Sequence, residues 1–134
     1  MDIESNVAAV ERAGARWNSG SLDGYLELYA DDAILRGYAG VAPGLAGIRE
    51  FYQAFWAAFP NAKLVFEDVF PYEDKVVIRF AVHVVHQGHF QGIPPTGKSA
   101  VVPVITILRF RSGKCVERWS QADMMGLLQQ LDAM

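Results

Sequence analysis

A single cysteine, Cys115, stands among 134 residues. No internal disulfide is open to this chain, which suits a reducing compartment. Charge is sparse as well: 20% of residues are charged, the net charge is −3, and no basic cluster interrupts that balance. Nucleic acid is therefore not an expected partner. Long apolar runs are missing, and none approaches the roughly 20 residues of a membrane span. The first residues, MDIESNV, have neither the basic nor the apolar region of a secretory signal. The expectation is a cytoplasmic domain with no membrane partner. Repeats, low-complexity segments and linkers are absent too. There is no GxSxG, and no Gly-rich phosphate loop precedes a helix.

What is present describes one ordered domain spanning 1–134. Hydrophobic residues make up 51% of the chain, and the length suffices for a real core. Ile3, Val7, Val10, Gly14 and Trp17 recur at helical spacing, and Asn18-Ser19-Gly20 stops that helix. Ser21 caps a shorter one whose apolar face holds Leu22, Tyr25, Leu26, Leu28 and Tyr29. Asp31-Asp32 reads as a turn, followed by a brief strand from Ala33 to Arg36. Gly37 to Gly44 is loop, and a third helix, rich in aromatics, runs from Leu45 to Phe59 before Pro60. From Lys63 the period becomes two. Leu64, Phe66, Asp68 and Phe70 form one row, a turn follows at Pro71–Asp74, and Lys75 to His86 is a long strand. Its even positions are apolar until His86 and mark the core side. Gly88 to Gly97 connects to a final hairpin, and Met124 to Leu131 is a short helical tail. The layout is α+β: three N-terminal helices laid on one face of a curved antiparallel sheet.

The hairpin, Val101 to Asp123, carries most of the chemistry. With Ser112-Gly113 as turn centre, strict counting pairs Phe110 with Cys115, Leu108 with Glu117, Thr106 with Trp119, Val104 with Gln121 and Val102 with Asp123. All of these share one face, and Arg109, Val116, Arg118 and Ser120 fall on the other. Arg79, Arg109 and Arg118 then read as outer-face residues. Asp123 has two readings. Beside apolar groups it is a desolvated general acid or base; alternatively it caps the MMGLLQQL helix. His86 is either a donor to a substrate oxygen or a histidine satisfied by backbone. His83, His86 and His89 are spaced three apart, but on a strand His86 lies opposite the other two, and no metal site is expected. Cys115, near the turn without a histidine partner, reads as structural.

Beside these residues stands a resemblance that covers nearly the whole chain. RWNSGSLDGYLELYADDAIL, the GIREF run with AFP between Gly47 and Pro60, HQGHFQGIPPTGK, RF-x-SGK-x-VERW-x-x-x-D ending at Asp123, and GLLQQL resemble the SnoaL-like polyketide cyclase family. Its superfamily is built on the nuclear transport factor 2-like cone. The resemblance implies an intramolecular aldol cyclisation without metal or cofactor, on a hydrophobic small-molecule carbonyl substrate. It makes Asp123 the acid/base; His86, on the reading of the residues given above, is the second catalytic candidate. Trp17, Tyr29, Arg36, Trp56, Thr106, Trp119 and Gln121 would line the substrate. The family's histidine on the strand before the last has no counterpart in Val101–Phe110, where Thr106 and Arg109 are the polar residues. Arg36 stands where a histidine is frequent. A homodimer through the outer sheet face is implied as well. The alternatives are a ketosteroid isomerase-like or dehydratase-like enzyme of the same cone, an epoxide hydrolase-like one, or a non-catalytic ligand-binding or dimerisation module.

Overall fold

The protein was analysed as a computed structural model that describes residues 2–38 and 40–133. The first helix, α1 (Ile3–Asn18), is capped by Asp2, whose carboxylate accepts from Ser5 N–H. Ser21 caps α2 (Leu22–Leu26) through Gly24 N–H. Between α2 and the aromatic helix α3 (Leu45–Ala58) runs β1 (Tyr29–Arg36). The strand thus absorbs Asp31-Asp32, which the local pattern reads as a turn, because two exposed carboxylates are no obstacle on the solvent side of an edge strand. Then come β2 (Lys63–Tyr72), β3 (Lys75–Val85), β4 (Ser99–Arg111), β5 (Lys114–Ala122) and α4 (Met124–Gln130).

The strands lie in the order β1-β5-β4-β3-β2. The meander β2 to β5 is antiparallel, as expected, while β1 joins the edge of β5 in parallel. The sheet curves without closing, and α1, α2 and α3 pack into its concave side to make the cone. Burial follows the pleat on β4: Val102, Val104, Thr106, Leu108 and Phe110 are buried, while Val101, Pro103 and Ile105 are exposed. At the far end, where β5 has stopped, α4 takes its place beside β4. Gln130 both accepts from Val101 N–H and donates to Val101 C=O, at 2.8 and 2.9 Å. Among the described residues, no helix is long and apolar enough to cross a membrane.

Two bulges reset which residues face inward. In β2 the extra residue is Glu67. Phe66 pairs with Phe80 but Asp68 pairs with Arg79, so Leu64, Phe66 and Val69 turn inward and Asp68 and Phe70 outward. The second bulge governs the site. The turn itself is as counted: Ser112 and Gly113 both have positive φ, 53° and 80°, the conformation of a two-residue hairpin loop, and Phe110 pairs with Cys115. Val116 is then inserted. Arg109 pairs with Glu117, Leu108 with Arg118, Ile107 with Trp119 and Thr106 with Ser120. One extra residue exchanges the faces of the rest of β5.

Candidate functional site

The bulge corrects the expected surface directly. Trp119 and Gln121 lie on the convex face, the first half-buried and the second exposed, and neither lines the cone. Arg118, expected outside, is inside and 6% exposed. Arg109 and Glu117, which strict counting separates, share the convex face and pair at 3.3 Å. Arg36, at the exposed end of β1, is the other partner of that carboxylate. Its hydrogen bond is the main reason the Glu117 pKa falls below its ordinary 4.5, against a smaller opposing effect of burial.

Arg118 organises the interior. Its Nε donates to Thr106 Oγ1 at 2.8 Å, and Nη1 donates to the hydroxyls of Tyr25 and Tyr29 at 2.9 and 2.7 Å. The Tyr25 and Tyr29 oxygens are 2.7 Å apart, and each reaches Tyr52, at 3.0 and 3.2 Å. Thr106 Oγ1 donates to Trp119 C=O at 2.8 Å and lies 2.7 Å from Ser120 Oγ, which in turn lies 2.8 Å from the Tyr38 hydroxyl. Gly37 makes that last contact possible. A Cβ there would sit 2.4 Å from Ser120 C=O, and its φ of +81° suits glycine.

Burial is the largest influence on all four phenols and raises their pKa above 10, with the Arg118 charge pulling the other way. Burial also works against the charge on Arg118. The oxygens of Tyr29, Tyr38, Tyr25 and Tyr52 outweigh it and hold the pKa above the ordinary arginine value. The phenols are therefore neutral and the guanidinium charged near pH 7. Among the described residues, Arg118 forms no ion pair with any carboxylate, and its Nη2 has no hydrogen-bond acceptor. An unpaired charge in a dry interior is expensive unless something offsets it.

Space beside this cluster is small. A cavity of about 20 Å³ is lined by Arg118 and Tyr25 together with Leu28, Phe66, Phe80 and Leu108, enough for one water-sized group. Aromatic side chains pack much of the cone beyond it. Trp17 is buried, donates Nε1–H to Ala62 C=O at 3.0 Å, and packs edge-on against Tyr25, Tyr52 and Trp56. Trp56 is half-buried, with its Nε1 unpartnered. A larger groove, about 410 Å³, lies between the start of α1 and the β4–β5 turn, among Asp2, Asn6, Asp74 and Arg111, and contains none of the expected site residues.

Asp123 follows Ala122, which shares the inner face with Val104 by pairing and yet is exposed. The concave surface is therefore open to solvent here, at a rim. Asp123 is itself exposed and caps α4, with Oδ1 accepting from Gly126 N–H at 2.8 Å; Oδ2 accepts no hydrogen bond from the described residues. His86 is fully buried on the inner face of the sheet, at the end of β3 remote from Arg118. Its Nδ1 accepts from Thr96 N–H at 3.2 Å, so the neutral ring carries its proton on Nε2, which is buried without a partner. Phe59 packs against that ring, and the chain beyond it is tied to α3 by Gln87 and Gly88 N–H bonds to Ala58 C=O. His86 lies five residues along β3 from Ala81, the partner of Pro103, whose carbonyl accepts from Asp123 N–H. That is roughly 17 Å of strand. The structure thus brings Tyr29 and Thr106 together with Arg118, Tyr25, Tyr52, Tyr38 and Ser120, and sets His86 apart from Asp123. Among the described residues no three His, Cys, Asp or Glu side chains gather in a metal-binding group.

A sequence profile described as SnoaL-like polyketide cyclase matches residues 7–131. IdmH from Streptomyces antibioticus, a candidate polyketide cyclase, is 31% identical with a TM-score of 0.80, over 95% of this chain and 98% of that one. AclR from Streptomyces galilaeus, a candidate hydroxylase, is 28% identical with a TM-score of 0.86, over 99% of this chain and 84% of that one. A candidate SnoaL-like polyketide cyclase from a Jannaschia species shares the fold, with a TM-score of 0.87 at 23% identity, over 100% and 96% of the two chains.

Proposed function

The chain belongs to the SnoaL-like polyketide cyclase family, and from that premise we propose that it closes a ring in a small hydrophobic carbonyl compound by acid/base chemistry without a cofactor. The observation that carries this reading is the Asp123 carboxylate at the open rim of a largely apolar cone, one of whose oxygens caps α4 while the other accepts no hydrogen bond from the described residues. Asp123 takes a proton from the carbon next to a carbonyl through its free Oδ2. The enolate carbon attacks a second carbonyl in the same molecule, and the Asp123 carboxylic acid formed in the first step gives its proton, directly or through solvent, to the new alkoxide. A substrate enters by displacing the half-buried rings at the open side, Tyr38, Phe51, Phe55 and Trp56. The buried Nε2–H of His86, without a partner among the described residues and at the far end of the concave face from Arg118, is a second donor.

Turnover of synthetic enolisable β-keto esters tests this. Asp123→Asn preserves a good helix cap and removes the base, so a loss of at least about 10²-fold in kcat is expected. Wild-type turnover by Asp123→Asn sinks the role given to Asp123. The competing reading, a ligand-binding module, is favoured by the exposure of Asp123. It prevails if such esters bind but none turns over.

The convex face supports a homodimer as part of the same proposal. Val65, Phe70, Tyr72, Val101 and Ile105 are 43–70% exposed, beside the half-buried Ile107 and Trp119. An apolar area of this extent on a sheet face is a docking surface for a second copy.

A further inference from the structure

The charge on Arg118 is the one feature of the interior that catalysis at the rim does not explain. Asp123 lies five residues further along β5, roughly 16 Å of strand, too far for the guanidinium to touch the carbon that loses its proton. Three hydrogen bonds hold the fork rigidly from one side, and Nη2 has no acceptor among the described residues. The residue borders, with Tyr25, a cavity with room for a single oxygen whose other walls include Leu28, Phe66, Phe80 and Leu108. The phenols direct their protons away from the cation, so Tyr25 and Tyr29 present lone pairs to Nη1 and do not neutralise it. A site with one net positive charge, one unused donor and space for one atom is complementary to one negatively charged oxygen.

We propose that Arg118 and its ring of tyrosines form an oxyanion anchor at the deep end of the cone, which takes an enolate or phenolate oxygen of the substrate remote from the bond being made. The proposal rests on the cone being the ligand cavity, as above, and not on Asp123 being a base. It narrows the substrate to a class: carbonyl compounds that also carry an acidic enol or an aryl hydroxyl, such as 1,3-dicarbonyls and hydroxyaryl ketones. On binding, the O–H bond of that group breaks, its electron pair stays on the oxygen against Nη2, and the proton leaves to solvent. The anchor orients the far end of the ligand while chemistry proceeds at the rim, the use of remote binding energy that raises kcat. Leu64 and Phe66, half-buried on β2, are the side chains that turn for a ring to follow its oxygen in.

The test is titration of 4-nitrophenol, whose anion is yellow and whose neutral form is colourless, with the intact protein. In the presence of wild type, the yellow anion is expected at a pH where the free probe is neutral, with the apparent ionisation shifted down by at least one unit, a tenfold preference for the anion. Arg118→Met is expected to abolish the shift and Arg118→Lys to retain part of it. Arg118→Gln, which keeps hydrogen-bond donors but removes the charge, is likewise expected to abolish the shift and serves if Arg118→Met fails to fold. The proposal is overturned if wild type binds the probe in its neutral form, if it does not bind the probe at all, or if folded Arg118→Met produces the same shift. A shifted probe in a protein that turns over no ester leaves the anchor standing and removes the cyclase reading. Turnover by Arg118→Met at the wild-type rate does the reverse.

Discussion

Arg118→Met separates an anchor for a ligand from a fastener of the fold, because the two readings predict stability changes of opposite sign. If the guanidinium held the cone together, removing it would strand its acceptors. The hydrogen-bond map says otherwise. Without Arg118, Tyr25 and Tyr29 still reach each other and Tyr52, and Thr106 still reaches Trp119 C=O and Ser120. No buried polar atom loses its last partner. What disappears is a desolvated charge with no carboxylate against it, whose uncompensated burial amounts to several kcal/mol. Its replacement by an unbranched apolar side chain among Leu28, Phe80 and Leu108 is the kind of exchange that is neutral or stabilises by about 1–4 kcal/mol. A gain of about 2 kcal/mol is expected, roughly 6–8 °C in Tm for a domain of this size. Thermal unfolding followed by circular dichroism, in buffer without ligand, reads it directly. A loss of 3 kcal/mol or more would refute the reasoning, since it would mean that Arg118 is needed to hold the tyrosines in place. Stability gained where function is lost is the signature of a residue retained for binding.

The other expectations are simpler. Ile105→Glu places a carboxylate in the middle of the exposed apolar face of β4; light scattering should show a monomer with an unchanged circular dichroism spectrum, and an intact dimer would move the interface elsewhere. Cys115 is fully buried, and burial pushes its thiol up to about 11; alkylation at pH 8 should be far slower in native protein than in urea, and equal rates would contradict the packing. Four tyrosines have folded-state pKa values above 10. Groups raised in the folded state contribute stability that is complete below the unfolded value and lost as pH rises through the folded one, so Tm should fall progressively above pH 10. Tyrosinate absorbance from these four should appear together with unfolding, and its appearance in the intact fold would show the cluster to be hydrated.

The fold was legible because its signals are local. Ser21 before an apolar helical stretch, the Ser112-Gly113 turn and the even-numbered apolar row of β3 each declare themselves within a few residues, and each is where counting puts it. The site was not, because it depends on one inserted residue. In CVERWSQAD both registers look reasonable: one faces Cys115 and Trp119 inward, the other Val116 and Arg118. Ordinary preference sends an arginine outward, and nothing near Val116 marks a bulge. The cap, one of the two readings of Asp123, was legible because it too is local, and Asp123 does cap α4.

What makes an arginine acceptable inside is non-local, namely three phenols from α2, β1 and α3 that converge only once the chain has folded. A signal for them did exist. Tyr25, Tyr29 and Tyr52 lie on apolar faces, and buried tyrosine hydroxyls need partners. Three such hydroxyls with no nearby acid to receive them ask for a buried donor, and Arg118 is the residue that a one-residue slip of β5 delivers. The same slip carries Trp119 to the convex face, where it adds to the apolar surface beside Ile105 and Ile107. One bulge therefore sets both the charge at the bottom of the cone and part of the exposed apolar surface, so on the readings proposed above a change that alters the Val116 insertion is expected to alter ligand binding and assembly together.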